Sequence, residues 1–275
     1  MPELPEVETI VREMREAKLE GTKIIAVEVY WDRSLATPTP REFIKKMVHQ
    51  HIQKISRRGK FIVMQLTQDT LLVHLRMTGK FLISSTKKPP HPHERVRLYL
   101  DDGRLLCYED QRKFGKWYLL GNTANPLDQL GIEPLSAHFT LKAFQNLLKG
   151  SQRPIKPFLL DQHNLVGLGN IYVDEALWQA QIYPKRSVSS LTQKEIHALH
   201  RAIPDVLQKG IDNIGTSLGS KRANYFSVSG RRGGNQYQLN VFRRDGLPCP
   251  RCQTIILRTV IAQRGTHFCP FCQKI

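Results

Sequence analysis

Two Cys-x-x-Cys pairs close this chain, Cys249-Pro-Arg-Cys252 and Cys269-Pro-Phe-Cys272, with sixteen residues between them. Knuckles at that spacing place four thiolates around one tetrahedral ion and leave no position open for water. Four sulfurs select zinc, and the site is structural: it fastens a β-hairpin too small to fold on a core of its own. A redox dithiol is the competing reading of a single pair, and a second pair in the same short segment argues against it. Four of the five cysteines fall in the last 27 residues, which is not the distribution of a disulfide framework in a secreted fold. Cys107 stands apart in a strand-like stretch and reads as a buried apolar residue.

The clamp matters for what it carries. Val260 to His267 forms the turn of the expected hairpin, with Arg264 and Gly265 near its tip. A rigid tip bearing an arginine suits a nucleic-acid backbone, an ordinary solvated arginine being the alternative. The charge balance favours a polyanion: 41 Lys+Arg against 24 Asp+Glu give a net of +17. Ten basic side chains lie between Lys221 and Ile275, where Asp245 is the only acid. Such a segment is made for phosphate contacts and counterion release. Charge alone does not separate DNA from RNA or an anionic membrane. A membrane span is not expected, because no window approaches roughly 18 consecutive apolar residues. The start, Met-Pro-Glu-Leu-Pro-Glu, has no basic stretch followed by an apolar one, so a cytosolic protein without a signal peptide is expected.

The 275 residues hold one large domain or two of ordinary size. Val7, Ile10, Val11 and Met14 recur at helical spacing behind Pro5, which predicts a helix from about Pro5 or Glu6. Lys23–Tyr30, Lys60–Leu66, Thr70–Arg76, Arg95–Leu100 and Arg104–Tyr108 then read as strands, and such short strands suggest an antiparallel sandwich or barrel. From about Leu135 to Gly215 the pattern is helical. Ile196, Leu199, Ile203, Leu207 and Ile214 share one face behind a capping box of Thr192 and Glu195, and Pro204 should interrupt and kink that helix. Gly219 to Asn235 is polar and Gly-rich, hence an expected mobile loop.

The amino terminus carries a chemical possibility. A small second residue such as Pro2 permits removal of Met1, exposing a secondary amine. An α-amine has a reference pKa near ~8, against ~10.4 for lysine, so part of it is neutral at pH 7. A neutral secondary amine can attack a sugar C1′ and give an iminium ion directly, after which the 2′ proton is acidic and the 3′ phosphate can leave. Glu3 beside it is placed to shuttle protons. Taken alone, Pro-Glu-x-Pro-Glu is more often just a helix entry.

Together, Met1–Thr9 (MPELPEVET), Arg57–Phe61 (RRGKF), His74–Gly79 (HLRMTG), Asp110–Gly115 (DQRKFG), Leu130–Leu135 (LGIEPL), Asp161–Tyr172 (DQHNLVGLGNIY), Asp174–Leu177 (DEAL) and Gln263–Cys269 (QRGTHFC) occur in one order across the chain. In this the sequence resembles the formamidopyrimidine-DNA glycosylases over essentially its whole length. The resemblance implies an α+β fold: an N-terminal antiparallel β-sandwich with a leading helix, then a helix–two-turn–helix domain ending in a zinc-finger β-hairpin. DNA would lie in the cleft between the two domains. The expected boundaries are 1–130 for the catalytic sandwich domain, 135–225 for the helix–two-turn–helix domain and 240–275 for the zinc hairpin.

The resemblance also implies roles. Pro2 would be the Schiff-base nucleophile, Glu3 the acid at the lesion sugar and Glu6 a supporting residue. Lys60 would contact phosphate near the lesion and assist β-elimination, and Arg264 would bind phosphate and serve δ-elimination. His74, His93, Arg112, Arg153 and Asn170 fall at family DNA-contact positions, and Gly167–Asn170 forms the helix–two-turn–helix turn. An extruded base leaves a hole that Met77, Arg112 and Phe114 would fill, two as an apolar wedge and Arg112 facing the orphaned base. Core packing is the alternative for Met77 and Phe114.

The activity so implied is a bifunctional glycosylase and abasic-site lyase of base excision repair. It would act as a monomer on double-stranded DNA containing oxidised purines or abasic sites, in the bacterial cytoplasm at the nucleoid, with Cys249, Cys252, Cys269 and Cys272 holding one structural zinc. Two departures bear on base preference: Gly215–Tyr225 is longer than the usual form, and Arg95 stands where a second histidine is common after His93. The rivals are an endonuclease VIII-like glycosylase for oxidised pyrimidines and a non-catalytic damaged-DNA-binding protein.

Overall fold

A computed structural model describes residues 1–85, 89–121, 125–219 and 225–274. The chain forms two compact units, Met1–Pro126 with Asn213–Gly234, and Leu127–Asp212 with Asn235–Ile275.

The first unit opens with helix α1 (Leu4–Glu16), which starts one residue before the expected proline. Pro5 occupies its first turn, where the missing amide hydrogen costs nothing, and Leu4, Val7, Ile10, Val11 and Met14 form its buried face. Then come β1 (Ile24–Val29), β2 (Leu35–Thr37), α2 (Pro40–Met47), β3 (Ile52–Arg58), β4 (Phe61–Leu66), β5 (Thr70–His74), β6 (Gly79–Ser84), β7 (Glu94–Leu100), β8 (Leu105–Asp110) and β9 (Lys116–Leu120). Four of these strands form a sheet in the order β1-β7-β8-β6, and the other five a sheet in the order β2-β9-β5-β4-β3. All pairs are antiparallel except β2 with β9. Both sheets contribute to one core: Met64, Leu71 and Val73 from one, Val96, Leu98 and Leu106 from the other, with Val7, Ile10 and Met14 of α1. That shared core is the sandwich the strand pattern predicts.

Residues 213–234, which follow the helical stretch in sequence, return to pack within the first unit. The cause is visible in their contacts. Tyr225 and Val228 enter the sandwich core, Thr216 N donates to Glu6 Oε1 at 2.7 Å, and Ser229 N donates to Glu13 Oε2 at 2.9 Å. Residues 220–224, within the expected mobile loop and the lengthened Gly215–Tyr225 stretch, lie outside the described residues.

The second unit holds α3 (Leu141–Leu148), α4 (Ile155–Leu160), α5 (Asn170–Gln179), α6 (Gln193–Asp212) and the hairpin β10 (Leu257–Ile261) with β11 (Arg264–Phe268). The Thr192/Glu195 capping box opens α6: Thr192 N donates to Glu195 Oε2 at 2.8 Å, and Glu195 N to Thr192 Oγ1 at 3.3 Å. Pro204 lies inside α6 without dividing it, because a proline removes one backbone bond and the neighbouring ones continue. The helix stops at Asp212, and Ile214, expected on its face, sits beyond it at φ 62°. Among the described residues no helix is long and apolar enough to cross a membrane.

Candidate active site and nucleic-acid contacts

In the first unit, the chemistry-bearing residues gather at the start of α1. Pro2 is buried behind Met1, which is 38% exposed. Glu3 is the N-cap, and its backbone amide donates to Glu6 Oε2 at 2.7 Å. Glu6 is 1% exposed and accepts Thr216 N on its other oxygen, so one carboxylate fixes both the helix start and the segment near Gly215. Gly215 has φ +78°, and a Cβ there would lie 2.9 Å from Glu6 Cγ, so the close approach requires glycine.

Helix α1 packs on β3 and β4. Their connecting turn, Gly59-Lys60, puts Lys60 in a buried position with Gly59 at φ 57°. Arg57 and Glu8, which carry no role in the motif pattern, hold this turn to the helix. Arg57 Nε donates to Glu8 Oε2 at 2.9 Å, and Arg57 Nη1 to Gly59 O at 3.2 Å. Burial pushes the Glu8 carboxyl up, but Arg57 and Arg12 outweigh it and hold the pKa below its ordinary value.

His74, at the end of β5, is the cross-strand partner of Phe61 and meets its ring edge-on at 4.8 Å. Burial, with the Arg76 and Lys60 charges beside it, pushes the imidazole down to about 3. Arg76 N donates to His74 Nδ1 at 3.0 Å, so the neutral ring carries its proton on Nε2. Because the unfolded chain takes up this proton below about 6.5 and the folded one does not, His74 costs stability as pH falls from 6.5 towards 3.

Met77 and Phe114 are 38% and 50% exposed and are not core residues. Arg112 lies with both: its Nη1 is 2.9 Å from Met77 Sδ, and its guanidinium sits 4.8 Å from the Phe114 ring centroid. Two loops of one unit thus present an apolar pair with a cation between them. His93 is half-buried at the entry to β7, and its carbonyl accepts Asp110 N at 2.8 Å.

In the second unit, Gly169 caps α5 and Asn170 is its first residue. Gln162 shapes the turn before it, accepting Gly167 N at 2.9 Å and donating to Leu168 O at 3.0 Å. Asn170 Nδ2 donates to Gly265 O at 2.9 Å, which ties this helix start to the hairpin. Arg153 is about half exposed and paired with Asp161 at 2.9 Å. In the hairpin, Ala262 and Gln263 form the turn at φ 47° and 60°, and exposed Arg264 opens β11 opposite Ile261. A buried network supports it. Lys156 Nζ donates to Asp174 Oδ1 at 2.6 Å and to Gly265 O at 3.0 Å, while Asp174 Oδ2 accepts His267 N at 2.9 Å. Lys156, Asp174 and Gln162 lie in or beside matched segments, but nothing in their spacing announced that they meet.

The four thiolates fit a metal. Cys249, Cys252, Cys269 and Cys272 place their sulfurs within 4.8 Å of one another, with separations of 3.4 and 4.0 Å among them. A tetrahedral zinc with sulfurs at about 2.3 Å needs sulfur separations of about 3.8 Å. Cys249 and Cys269 are buried with Trp178, Val241 and Ile256 in a small core, and Trp178 Nε1 donates to Cys249 Sγ at 3.4 Å. Cys107 is buried in β8, and burial pushes its thiol up to about 12, which leaves it inert.

Comparison with known proteins bears on the whole chain. Residues 1–117 match the formamidopyrimidine-DNA glycosylase N-terminal domain, 130–221 the H2TH domain of the same glycosylase, and 246–275 the zinc finger found in FPG and IleRS. A formamidopyrimidine-DNA glycosylase of Protochlamydia amoebophila is 45% identical over 275 residues, covering all of both chains. The Lactococcus lactis Fpg solved with N7-benzyl-Fapy-dG DNA is 39% identical, with a TM-score of 0.89 and full coverage of both chains. The same organism's Fpg on abasic-site DNA gives 38% and 0.88, covering 99% of this chain and 100% of that one. The four cysteines are therefore the ligands of one structural zinc.

Proposed function

The chain belongs to the formamidopyrimidine-DNA glycosylase family, and on that premise we propose that it excises oxidised purines from double-stranded DNA and cleaves the strand at the resulting abasic site. The observation that carries this reading is the burial of Pro2 and Glu3 at the start of α1, on the two strands whose turn holds buried Lys60.

Removal of Met1 frees the Pro2 amine. Its lone pair attacks C1′ of the extruded nucleotide, and the glycosidic bond breaks with its electron pair leaving on the base, which is protonated. Glu3 delivers a proton to O4′ as the ribose ring opens, and the Pro2 nitrogen loses its hydrogen to become the iminium. That cation accepts the electrons released when the 2′ proton departs, and the 3′ phosphate leaves. A second elimination expels the 5′ phosphate, and hydrolysis returns the amine. Lys60 and Arg264 hold the phosphates and stabilise their departure. His74, His93, Arg153 and Asn170 contact the DNA backbone, and Met77, Arg112 and Phe114 fill the space left by the extruded base. The zinc supplies no chemistry to these steps; it holds the hairpin that carries Arg264. The protein acts as a monomer on nucleoid DNA in the bacterial cytoplasm.

The test is single-turnover excision from duplexes bearing 8-oxoguanine, a formamidopyrimidine or an oxidised pyrimidine, each opposite the four normal bases. Oxidised purines should react at least about tenfold faster than pyrimidines, a difference within reach of hydrogen-bonded recognition. Faster pyrimidine release would make the enzyme endonuclease VIII-like, and tight binding without turnover would make it a damaged-DNA binder. Salt dependence is a separate expectation. If five phosphates are neutralised, the dissociation constant should rise roughly 500-fold between about 50 and 200 mM salt. A nearly flat response in a titration by fluorescence anisotropy would contradict the phosphate-contact reading.

A further inference from the structure

We propose that Asp110 is the positioning residue of the wedge, locking Met77, Arg112 and Phe114 into one rigid unit so that they enter the helix together; this rests on the wedge role given to those three above. The wedge comes from two separate loops, β5–β6 with Met77 and β8–β9 with Arg112 and Phe114. A lever made of two loops can unstack a base only if the loops do not yield separately. The side chain of Asp110, 1% exposed, joins them. Its Oδ1 accepts the Thr78 hydroxyl from the Met77 loop at 2.5 Å and Arg112 N at 3.2 Å, while Oδ2 accepts Gly115 N at 2.7 Å. Thr78 Oγ1 in turn accepts Arg112 N at 3.1 Å, closing a ring of bonds across the two loops.

The surroundings serve the same purpose. Tyr108 Oη lies under both loops, where a Cβ at Gly79 or Gly115 would come within 2.5 and 1.7 Å of it. The main chain of Asp110 is fixed from the far side: Arg95 Nε donates to Asp110 O at 2.9 Å and Arg95 Nη1 to Pro92 O at 3.2 Å. Asp110 N donates to His93 O. Arg95 thus couples the base of the wedge to the His93 segment. No atom of Asp110 needs to touch DNA for this role.

The experiment is single-turnover excision by wild type, Met77→Ala, Asp110→Asn and Thr78→Val on two substrates: a lesion paired in a duplex, and the same lesion in a bulge with no opposite base. Asp110→Asn keeps the shape but turns an amide N–H₂ towards backbone donors. It should slow excision from the paired duplex about tenfold, the scale of losing charge-assisted hydrogen bonds. On the bulged lesion, which needs no unstacking wedge, its rate should return to within about twofold of wild type. Thr78→Val should behave alike with a smaller effect, and it serves as the decisive variant if Asp110→Asn does not fold. Equal slowing on both substrates, or none on either, overturns the proposal. A Met77→Ala protein unaffected on paired DNA would instead sink the wedge reading itself, and inactive wild type the glycosylase reading.

Discussion

Pro2→Gly should lose covalent trapping and base excision together, with single-turnover release of 8-oxoguanine falling about 10³-fold or more, as when an activated nucleophile is removed. Glycine keeps an α-amine of similar basicity and still allows Met1 to be removed, so the change does not delete an amine. It deletes the ring. The pyrrolidine makes the amine secondary, so that its iminium has no N–H left to lose and stays cationic, and its buried position holds the nitrogen in one direction. A second substitution separates position from chemistry. In Pro2→Leu the bulky second residue retains Met1, placing the only α-amine one residue further from Glu3 and Lys60. No borohydride-stable adduct should form at all, whereas DNA affinity, resting on phosphate contacts elsewhere, should change only about twofold to threefold. Peptide mapping of the wild-type adduct should place the sugar remnant on residue 2. An adduct of undiminished yield in Pro2→Gly, or one mapped to a lysine, would move the nucleophile elsewhere.

The parts of this molecule legible in its sequence are those with a local signature. The four cysteines needed only their spacing, and α1 needed only Val7, Ile10, Val11 and Met14 behind a proline. Strands β4, β5, β7 and β8 showed as apolar runs, but β3 did not. Its register shifts between Ile52 and Lys54, and only Ile52 and Ile55 are fully buried, so its alternation is broken. Strand β2 is three residues long, too short to detect, and β6 buries only Gly79 and Phe81, so its pattern does not alternate along its length. The candidate site divides in the same way. Pro2, Glu3, Lys60, Met77 and Arg264 stand out through the order of the motifs, and outside that order Pro2 and Glu3 read as a helix entry, Met77 as core and Arg264 as a solvated arginine. Glu8 with Arg57, Lys156 with Asp174 and Asp110 with Thr78 were not reached, because each pair is separated by 18 to 49 residues and meets only through the fold. The packing of residues 213–234 on the first unit was hidden for that reason too: their contacts with Glu6 and Glu13 lie more than 200 residues away in sequence.

Loss of the zinc should be the second large effect. Cys249→Ser, or prolonged chelation of the wild type, should lower affinity for lesion DNA about 10²-fold and eliminate the one bound metal ion per chain. The reason is the size of what the metal supports. The apolar core around the cysteines consists of Trp178, Val241 and Ile256 besides the sulfurs, too little to order the 246–275 segment unaided. Structural zinc contributes about 10–16 kcal/mol to small modules of this kind, more than such a core can replace. Without it the β10–β11 ladder loosens, Arg264 loses its direction, and the consequences spread inward. Gly265 O no longer accepts from Lys156 or Asn170, and His267 N no longer donates to Asp174. Lys156 and Asp174, both 0% exposed, thereby lose hydrogen bonds around their buried ion pair, and each buried polar group left unsatisfied costs about 1–3 kcal/mol. Asp174→Asn separates the two contributions. It should keep its zinc, measured by mass spectrometry of the metal, yet slow strand cleavage more than base excision, because only the aim of Arg264 is disturbed. A Cys249→Ser protein that is metal-free and still binds lesion DNA normally would remove the hairpin from recognition. An Asp174→Asn protein indistinguishable from wild type would confine the buried network to stability.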